Sequence, residues 1–421
     1  MTARTAQPRG AAARLIPNAL SLIGATAATS GLGAVYWWLA ARAFAPATVG
    51  LASAAISAML LLGTLGMLGL GTLLTGELPK RRAEAGPLIS ATLVASGAAA
   101  ILLGLLFAIA APIVSAQFAP LGSPIAVAVF AVGVALTSVG LVLDQAVIGL
   151  LRGELQLWRN TAASVVKLAA LVAAAALGLA TGMTVYGTWV LGNLASFGVF
   201  AALAHQAGFR LAHRPSWTST RELGAPALRH HALNMALQGP SLALPVLVAA
   251  LISASANASF YAAWMIAGFV LVVPQALTTA LYAVQAHDAA SLGARLRHTL
   301  ALSLGAGVAS ALILAFAAHP LLAVFGRAYA DQGASSLRLL GLLVFPFIIK
   351  AHYVAVARIH GRIGPASVLM LGLGVLELAA AAAGGVLGGL VGLSAGLVVA
   401  MTLECTVTVG AVYSAATGKA E

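Results

Sequence analysis

The sequence contains very few charged residues: Asp, Glu, Lys and Arg together make up 8% of its 421 residues. Soluble domains contain about 25%, so this chain lacks the charge needed to cover the surface of a water-soluble fold. Apolar residues make up 61% of the chain, and its mean hydropathy is +1.01. Apolar runs of roughly 20 residues, the length that crosses a bilayer, recur from end to end. The composition therefore indicates a polytopic membrane protein.

Cysteine is nearly missing, and so are the motifs typical of enzymes. The single cysteine, Cys405, excludes an intrachain disulfide and a thiolate metal cluster. The chain has no GxxxxGK[ST], HExxH, paired CxxC or nucleophile elbow. Only ten residues are acidic, and most of them fall in turns. We therefore expect no catalytic residue, no metal and no cofactor; an enzyme that acts on lipid within the bilayer is the less favoured alternative.

The apolar segments predict α-helices rather than a β-barrel, because they are long, rich in Ala, Leu and Gly, and do not alternate with polar residues. The sequence predicts an all-α protein with about twelve transmembrane helices. The predicted spans are residues 15–40, 47–75, 86–112, 122–150, 160–180, 183–204, 228–253, 257–285, 299–324, 333–356, 364–387 and 391–414.

Basic residues give the chain a net charge of +12, and their distribution predicts its orientation. Most of the 22 lie in turns on one side of the predicted membrane, whereas only Arg42 and Arg327 lie in turns on the other. Three more, Lys167, Arg338 and Lys350, fall inside predicted helices. The positive-inside rule then predicts a protein of the inner (cytoplasmic) membrane with both termini in the cytoplasm. Scattered basic residues of this kind do not indicate binding to nucleic acid.

The longest polar interval begins at His205 and divides the predicted helices into two sets of six. We predict an N-terminal lobe at residues 1–204, an interfacial linker on the cytoplasmic side at 205–227, and a C-terminal lobe at 228–421. Ser219 and Glu222 have capping-box spacing, so a short helix is expected to begin near them. Each lobe has an even number of helices, which makes the two lobes a parallel pseudo-repeat.

Two embedded charges in the N-terminal half are predicted to lie at matching depth. Asp144 lies six residues before a cytoplasmic turn and Lys167 seven residues after the next predicted helix begins, which places both roughly 10 Å deep. A charge at mid-bilayer costs about 2.5–3.5 kcal/mol and needs a partner or water. Lys167 is therefore the expected partner of Asp144. This pair would either fix the register of the helices or serve in function.

The C-terminal half also has embedded charges. Lys350 lies in the cytoplasmic third of the tenth predicted helix, and Arg338 lies near the outer end of the same helix. Glu377 and Glu404 fall near mid-membrane in the last two helices. Each is either a protonatable coupling site or a neutral acid satisfied by a neighbour, and spacing alone identifies no partner for them.

Three stretches of the sequence resemble one transporter family. They are ARAFAPATVGLASAA at 41–55, IGLLRGELQLWRN at 148–160 and HPLLAVFGRAYADQGASSLRLL at 319–340. On these residues the chain resembles the Wzx-type polysaccharide and oligosaccharide flippases of the multidrug/oligosaccharidyl-lipid/polysaccharide (MOP) exporter superfamily. The resemblance implies two six-helix lobes around a cavity that opens alternately to each face of the membrane.

The resemblance also implies a substrate, a polyprenyl-pyrophosphate-linked oligosaccharide that is flipped across the bilayer. A cavity for an anionic pyrophosphate needs fixed cations, and Asp144 could hold Lys167 until substrate arrives. The expected substrate-binding residues are Lys167, Lys350, Asp144, Arg42 and Arg338, and the expected ion-coupling residues are Glu377 and Glu404. Expected partners are the bilayer, the lipid-linked substrate, and glycosyltransferases or a polymerase of the same pathway.

Two alternative functions stay open at this point. One is a cation-coupled exporter, driven by H+ or Na+, of small amphipathic compounds. The other is a non-transport membrane scaffold that recruits cell-envelope enzymes. The sequence predicts neither the glycan, nor the driving ion, nor the oligomeric state.

Overall fold

The computed structural model describes residues 29–208, 213–285 and 292–418, and in these ranges it contains helices and turns but no strand. Helix α1 is described from residue 29 to residue 43. The remaining helices are α2 (Pro46–Gly66), α3 (Leu70–Glu77), α4 (Ala85–Val114), α5 (Pro124–Gly149), α6 (Gly153–Ala176), α7 (Gly182–Gln206), α8 (Trp217–Leu251), α9 (Ala254–Gln285), α10 (Leu292–Ala323), α11 (Arg327–Gly341), α12 (Val344–Ile359) and α13 (Ile363–Thr417). The side chains of the predicted capping pair, Ser219 and Glu222, lie outside the described residues.

The helices confirm a polytopic all-α membrane fold. Eight of the described helices are long and apolar enough to cross a membrane, and the bent pair α11–α12 makes a ninth. Helix α13 contains 55 residues, enough for two spans, and the spans predicted at α1 and α6 are also helical. The described chain thus has twelve spans, the predicted number.

Two predicted spans, 47–75 and 333–356, are each two helices in the structure. The first is divided between α2 and α3 at residues 67–69. The sequence predicts a single helix at 333–356, whereas α11 ends at Gly341 and α12 begins at Val344, with a bend of 45° between them. Pro346 lies in the first turn of α12, where proline is tolerated because the amide it lacks has no partner within the helix. This bend starts a new helix just before Lys350.

Helix α13 is a helical hairpin rather than one straight rod. Its backbone leaves the helical region at Gly388 and Gly389, and Gly389 has a φ of 58°, which glycine adopts without strain. The two arms approach closely beside this break: a Cβ added to Gly384 would lie 2.1 Å from the carbonyl oxygen of Gly392. Small residues permit such backbone contact between membrane helices. The hairpin places Glu377 on one arm and Glu404 on the other.

The chain divides into two compact units. The first comprises Leu62–Ala110 and Leu121–His231 with the described residues before Ala40. The second comprises Ala40–Leu61, Ala111–Pro120 and the described residues after His231. Each unit has a buried apolar core, around Leu74 and Val142 in the first and around Leu296 and Val412 in the second. The division into lobes at 1–204 and 228–421 stays a prediction.

Candidate functional site

Asp144 is held in a closed hydrogen-bonded cluster within the first unit. Arg159 of α6 donates to it through two nitrogens, Nε to Oδ1 at 3.0 Å and Nη2 to Oδ2 at 2.7 Å. Asn160 adds a third hydrogen bond to Oδ2 at 3.2 Å, and its own side-chain oxygen accepts from Arg159 Nη2 at 2.8 Å. Both charged side chains are buried. Two-point pairing of this type matches the planar guanidinium to the carboxylate and satisfies both groups.

The predicted pairing of Asp144 with Lys167 is wrong, and the reason is the start of α6. The sequence places that start at residue 160, whereas α6 begins at Gly153, seven residues earlier. At 1.5 Å per residue, Lys167 then lies about 21 Å along the helix, and Arg159 lies about 9 Å along it. Arg159 therefore matches the depth of Asp144, which is five residues from the end of α5.

Lys167 contacts aromatic rings instead of a carboxylate. Its Nζ lies 3.9 Å from the centroid of the Trp189 ring and 5.9 Å from that of Tyr36. The two rings pack edge to face, 5.9 Å apart. Among the described residues, no carboxylate lies within ion-pair distance of this ammonium. Cation–π contact stabilises a lysine in such a place, by about 2 kcal/mol when water is excluded, and it leaves the positive charge uncompensated.

Lys350, Glu377 and Glu404 form a second buried cluster, in the second unit. Lys350 Nζ lies 2.5 Å from Glu377 Oε1 and 3.1 Å from Glu404 Oε2. The exposed fractions are 6% for Lys350, 5% for Glu377 and 1% for Glu404. Neither oxygen of Glu404 forms a hydrogen bond of good geometry within the described residues. Two carboxyl groups thus share one ammonium, and the cluster carries an excess negative charge when all three groups are ionised.

A polar cavity of about 400 Å³ lies beside this cluster, within the second unit. Helices α8, α9, α12 and α13 form its walls. Its charged lining groups are Lys350, Glu377 and Arg358, and Arg358 has no carboxylate partner among the described residues. Amide and hydroxyl groups supply the rest of the polar lining: Asn234, Gln238, Ser241, Gln275, Thr278, Thr279 and Tyr282. The cavity offers hydrogen bonds and positive charge inside the membrane-spanning helices.

The sequence analysis does not predict most of the residues that line this cavity, although the spacing of polar residues along α9 indicates some of them. Gln275, Thr278, Thr279 and Tyr282 follow spacings of three, four and seven residues, so they share one face of α9. A polar stripe on an otherwise apolar helix indicates an interior surface. Arg358 lies in one of the turns that the sequence predicts on the cytoplasmic side, and its distance of eight residues from Lys350 does not reveal which way it faces.

Two other predicted substrate-binding residues bind backbone carbonyls. Arg42 Nε donates to the Val324 carbonyl oxygen at 3.1 Å, immediately after α10 ends. Arg338 Nε donates to the Ala315 carbonyl oxygen at 3.1 Å. Both arginines are exposed, and neither lines the polar cavity. A positive charge at the end of α10 is favoured by the helix dipole, which gives Arg42 a structural reason to be there.

In the described residues, no three side chains of His, Cys, Asp or Glu come together in an arrangement that could hold a metal ion. The only charged groups lining the polar cavity among the described residues are the three named above.

Comparison with known families decides where the chain belongs. Residues 15–284 match the model of the family described as "Polysaccharide biosynthesis protein". The chain belongs to this family. The match spans more than half of the sequence, and it confirms the resemblance to Wzx-type flippases. None of the curated proteins compared with the chain matches it significantly.

Solved structures show which fold this member of the polysaccharide biosynthesis family has. An inward-facing multidrug resistance MATE family transporter of the MOP superfamily superposes with a TM-score of 0.65 at 16% identity, over 93% of this chain and 96% of that one. A MOP superfamily transporter from Pyrococcus furiosus gives 0.59 at 13% identity, over 96% of each chain. A Vibrio cholerae MATE transporter gives 0.59 at 15% identity, over 97% of each. The fold is that of the MOP superfamily.

Proposed function

We propose that this protein flips a polyprenyl-pyrophosphate-linked oligosaccharide across the cytoplasmic membrane by alternating access, for polysaccharide or cell-envelope biosynthesis. Membership of the polysaccharide biosynthesis family supports the pathway, and the fold supports transport. Glycosyltransferases or a polymerase that make and use the lipid-linked glycan are the proposed protein partners. The cytoplasmic position of both termini is part of this proposal and rests on the distribution of basic residues.

One observation carries the proposal: the polar cavity beside Lys350 combines two cationic side chains with amides and hydroxyls inside membrane-spanning helices. A pyrophosphate needs cations, and uncharged sugars need hydrogen-bonding groups that are fixed in place. Lys350 and Arg358 lie eight residues apart on α12, about 12 Å along its axis. That distance suits a headgroup larger than one phosphate, with the pyrophosphate near one cation and sugar hydroxyls along the amide-lined walls.

Lys167 supplies a second candidate contact for the anionic headgroup. Its charge lacks a carboxylate partner in the described part of the chain, and the rings of Trp189 and Tyr36 lie against it. An embedded cation of this kind is costly unless water or a ligand reaches it. We therefore retain Lys167 as a substrate-binding residue. Asp144, in contrast, is held by Arg159, and we propose a structural role for it instead.

A cation-coupled exporter of small amphipathic compounds is the second candidate function. The carboxyl groups of Glu377 and Glu404 favour it, because buried acids can exchange protons or bind Na+ during transport. It differs from the first candidate in one respect that can be measured. An exporter of cationic compounds needs the carboxylates as substrate contacts, whereas a flippase of anionic lipids needs the lysine and the arginine.

Reconstitution in liposomes tests the proposed function. A fluorescent polyprenyl-pyrophosphate-linked sugar is added to one leaflet, and its exchange is followed by the access of a membrane-impermeant quencher. We expect exchange with the unaltered protein, near-complete loss with Lys350→Ala, and a loss of tenfold or more with Arg358→Ala.

The control for this experiment is Lys80→Ala. Lys80 is 69% exposed and pairs with Glu77 at a helix end, so exchange should stay within twofold of the unaltered protein. Full exchange by both cavity variants would contradict the assignment of the cavity. Export of a cationic dye with no exchange of the lipid-linked sugar would favour the second function.

A further inference from the structure

The cluster of Lys350, Glu377 and Glu404 contains two carboxyl groups and only one ammonium. This ratio determines what happens to the carboxyl groups when a ligand binds Lys350. Lys350 and Glu377 both line the polar cavity, whereas Glu404 does not. Glu404 lies on the second arm of α13 and contacts the ammonium at 3.1 Å. A ligand in the cavity can therefore reach Lys350 and Glu377, which line it, whereas Glu404 contacts the same ammonium from outside the lining.

Other titratable groups near the cluster do not compensate its charge. Arg358 lies eight residues along α12, and Tyr282 faces the cavity from α9. His352 is two residues from Lys350 but is engaged elsewhere, with Nδ1 on the Ile348 carbonyl oxygen and Nε2 on Thr299 of α10. Among the described residues, the ammonium of Lys350 is thus the positive charge in direct contact with both glutamates.

An anionic ligand that takes hydrogen bonds from Lys350 offsets the positive charge that favours ionisation of the two carboxyl groups. The two glutamates contact the same Nζ, so their carboxyl groups lie close together in a buried site. Two buried carboxylates in such proximity do not both stay ionised, and they share a proton instead. The ligand and a proton therefore stabilise each other's binding, rather than compete.

We propose that the anionic headgroup binds at Lys350 together with one proton, which the Glu377–Glu404 pair takes up. This rests on the proposed function, since it assumes that a pyrophosphate enters the cavity. In the balanced step, a phosphate oxygen replaces Glu377 as acceptor of an Nζ hydrogen bond, and one proton released by the bulk buffer binds to a carboxylate oxygen. No covalent bond forms, and the proton leaves when the headgroup leaves.

The sign of the pH dependence follows from this exchange. Binding takes up a proton, so affinity for the headgroup rises as pH falls, by up to about tenfold per pH unit where uptake is complete. A pyrophosphate substituted at both ends carries one ionised oxygen on each phosphorus and does not titrate near neutral pH. The slope therefore reports the glutamate pair rather than the ligand.

Calorimetry counts the protons directly. Binding of farnesyl-pyrophosphoryl-N-acetylglucosamine to the detergent-purified full chain is measured in buffers with different enthalpies of ionisation at pH 7. We expect uptake of about one proton per ligand bound. An uncharged farnesyl glycoside serves as the matched probe and should bind, if it binds, with no proton uptake.

Two variants locate the proton. Glu404→Gln keeps the shape of the cluster but has one titrating carboxyl, so the charged probe should bind with uptake near zero and with a flat pH profile. Glu377→Gln tests the same point and covers the case in which the first variant does not fold, which thermal unfolding reveals.

The outcomes separate this inference from the function on which it rests. Binding of the charged probe without proton uptake overturns the linkage and leaves the proposed function standing. Failure of the unaltered protein to bind the charged probe overturns the proposed function, and the linkage falls with it. Equal proton uptake by the unaltered protein and both glutamine variants would place the proton elsewhere and also overturn the linkage.

Discussion

The two units of the molecule each bury a charged cluster, and the two clusters are built differently. In the first, one guanidinium faces one carboxylate with two hydrogen bonds, and Asn160 supplies a third. In the second, one ammonium faces two carboxylates beside a polar cavity. A balanced and saturated pair holds helices together. An unbalanced cluster at the wall of a cavity can exchange partners, and we therefore propose that the first cluster is structural and the second functional.

Lys167 belongs to neither cluster. It shares a unit with the balanced pair, yet it lacks a carboxylate partner in the described chain and rests on Trp189. Trp189 Nε1 is itself buried without a hydrogen-bond partner among those residues. The first unit thus contains a fully paired carboxylate and, apart from it, a lysine without a carboxylate partner in the described chain. In the second unit, the embedded lysine and the carboxyl groups belong to one cluster.

Replacement of Lys350 by Met should have the largest effect. It leaves two buried carboxyl groups without their counter-charge, and removal of one partner from a buried ion pair costs about 3–5 kcal/mol. We expect a marked fall in the thermal unfolding temperature in detergent, together with loss of lipid exchange in liposomes.

A triple variant, Lys350→Met with Glu377→Gln and Glu404→Gln, separates stability from function. It removes the buried charges altogether, so stability should largely return while exchange stays absent. Recovery of exchange in the triple variant would show that the cluster is only structural, and the contrast between the two units would disappear.

Replacement of Arg159 by Met should have the next largest effect, a loss of about 3 kcal/mol in the free energy of unfolding. The buried carboxylate of Asp144 would lose its counter-charge and keep only the hydrogen bond from Asn160. The double variant Asp144→Asn with Arg159→Gln removes both charges and keeps hydrogen-bonding groups in place. It should recover most of the stability and, unlike the Lys350 triple variant, retain exchange per folded molecule. A folded double variant that cannot exchange lipid would give the first cluster a functional role.

Lys167→Ala should affect binding more than stability. Loss of hydrogen bonds to a charged group costs about 1.5–3 kcal/mol, or roughly 10- to 100-fold in affinity for the anionic probe. Stability should be unchanged or slightly higher, because an uncompensated embedded charge has been removed. Lys167→Arg is the matched control and should bind within about tenfold of the unaltered protein. An alanine variant with unchanged affinity would show that Lys167 does not bind the anionic probe.

The smallest effect is expected at the exposed pair of Lys80 and Glu77. A hydrogen bond from Lys80, together with the charges of Lys80 and Arg81, holds the pKa of Glu77 below its usual value. Its contribution is therefore present at neutral pH and is lost as pH falls through that lowered pKa. Exposed pairs contribute little, so Lys80→Ala should change the unfolding free energy by less than about 0.5 kcal/mol at pH 7, and less still in acid.

The fold follows largely from the sequence, because composition and the length of apolar runs depend only on local order along the chain. The ends of the helices are predicted less well from the sequence. Glu154, Gln156 and Arg159 make the start of α6 polar, so the predicted span began too late by seven residues. The bend between α11 and α12 also escaped prediction, because the sequence alone does not show whether Pro346 lies in the interior of one helix or in the first turn of a new one.

The sequence predicts which charged residues belong to the candidate site but not how they associate. Charged residues inside apolar spans are conspicuous, and Lys350, Glu377 and Glu404 were each identified for that reason. Their association was not, because it depends on how α12 and the two arms of α13 are rotated about their axes. The partner of Asp144 was misassigned for a simpler reason: an error of seven residues in a helix start shifts every depth on that helix by about 10 Å.

Photo-crosslinking tests most directly the claim that the second unit's cavity holds the headgroup. A photoreactive residue is placed at Thr279 in the cavity or at Val199, which is 37% exposed on α7, and the protein is irradiated with a radiolabelled lipid-linked sugar. We expect label at Thr279 that excess unlabelled substrate removes, and little label at Val199. Equal labelling at both positions, or labelling at Thr279 that substrate does not compete away, would contradict the claim.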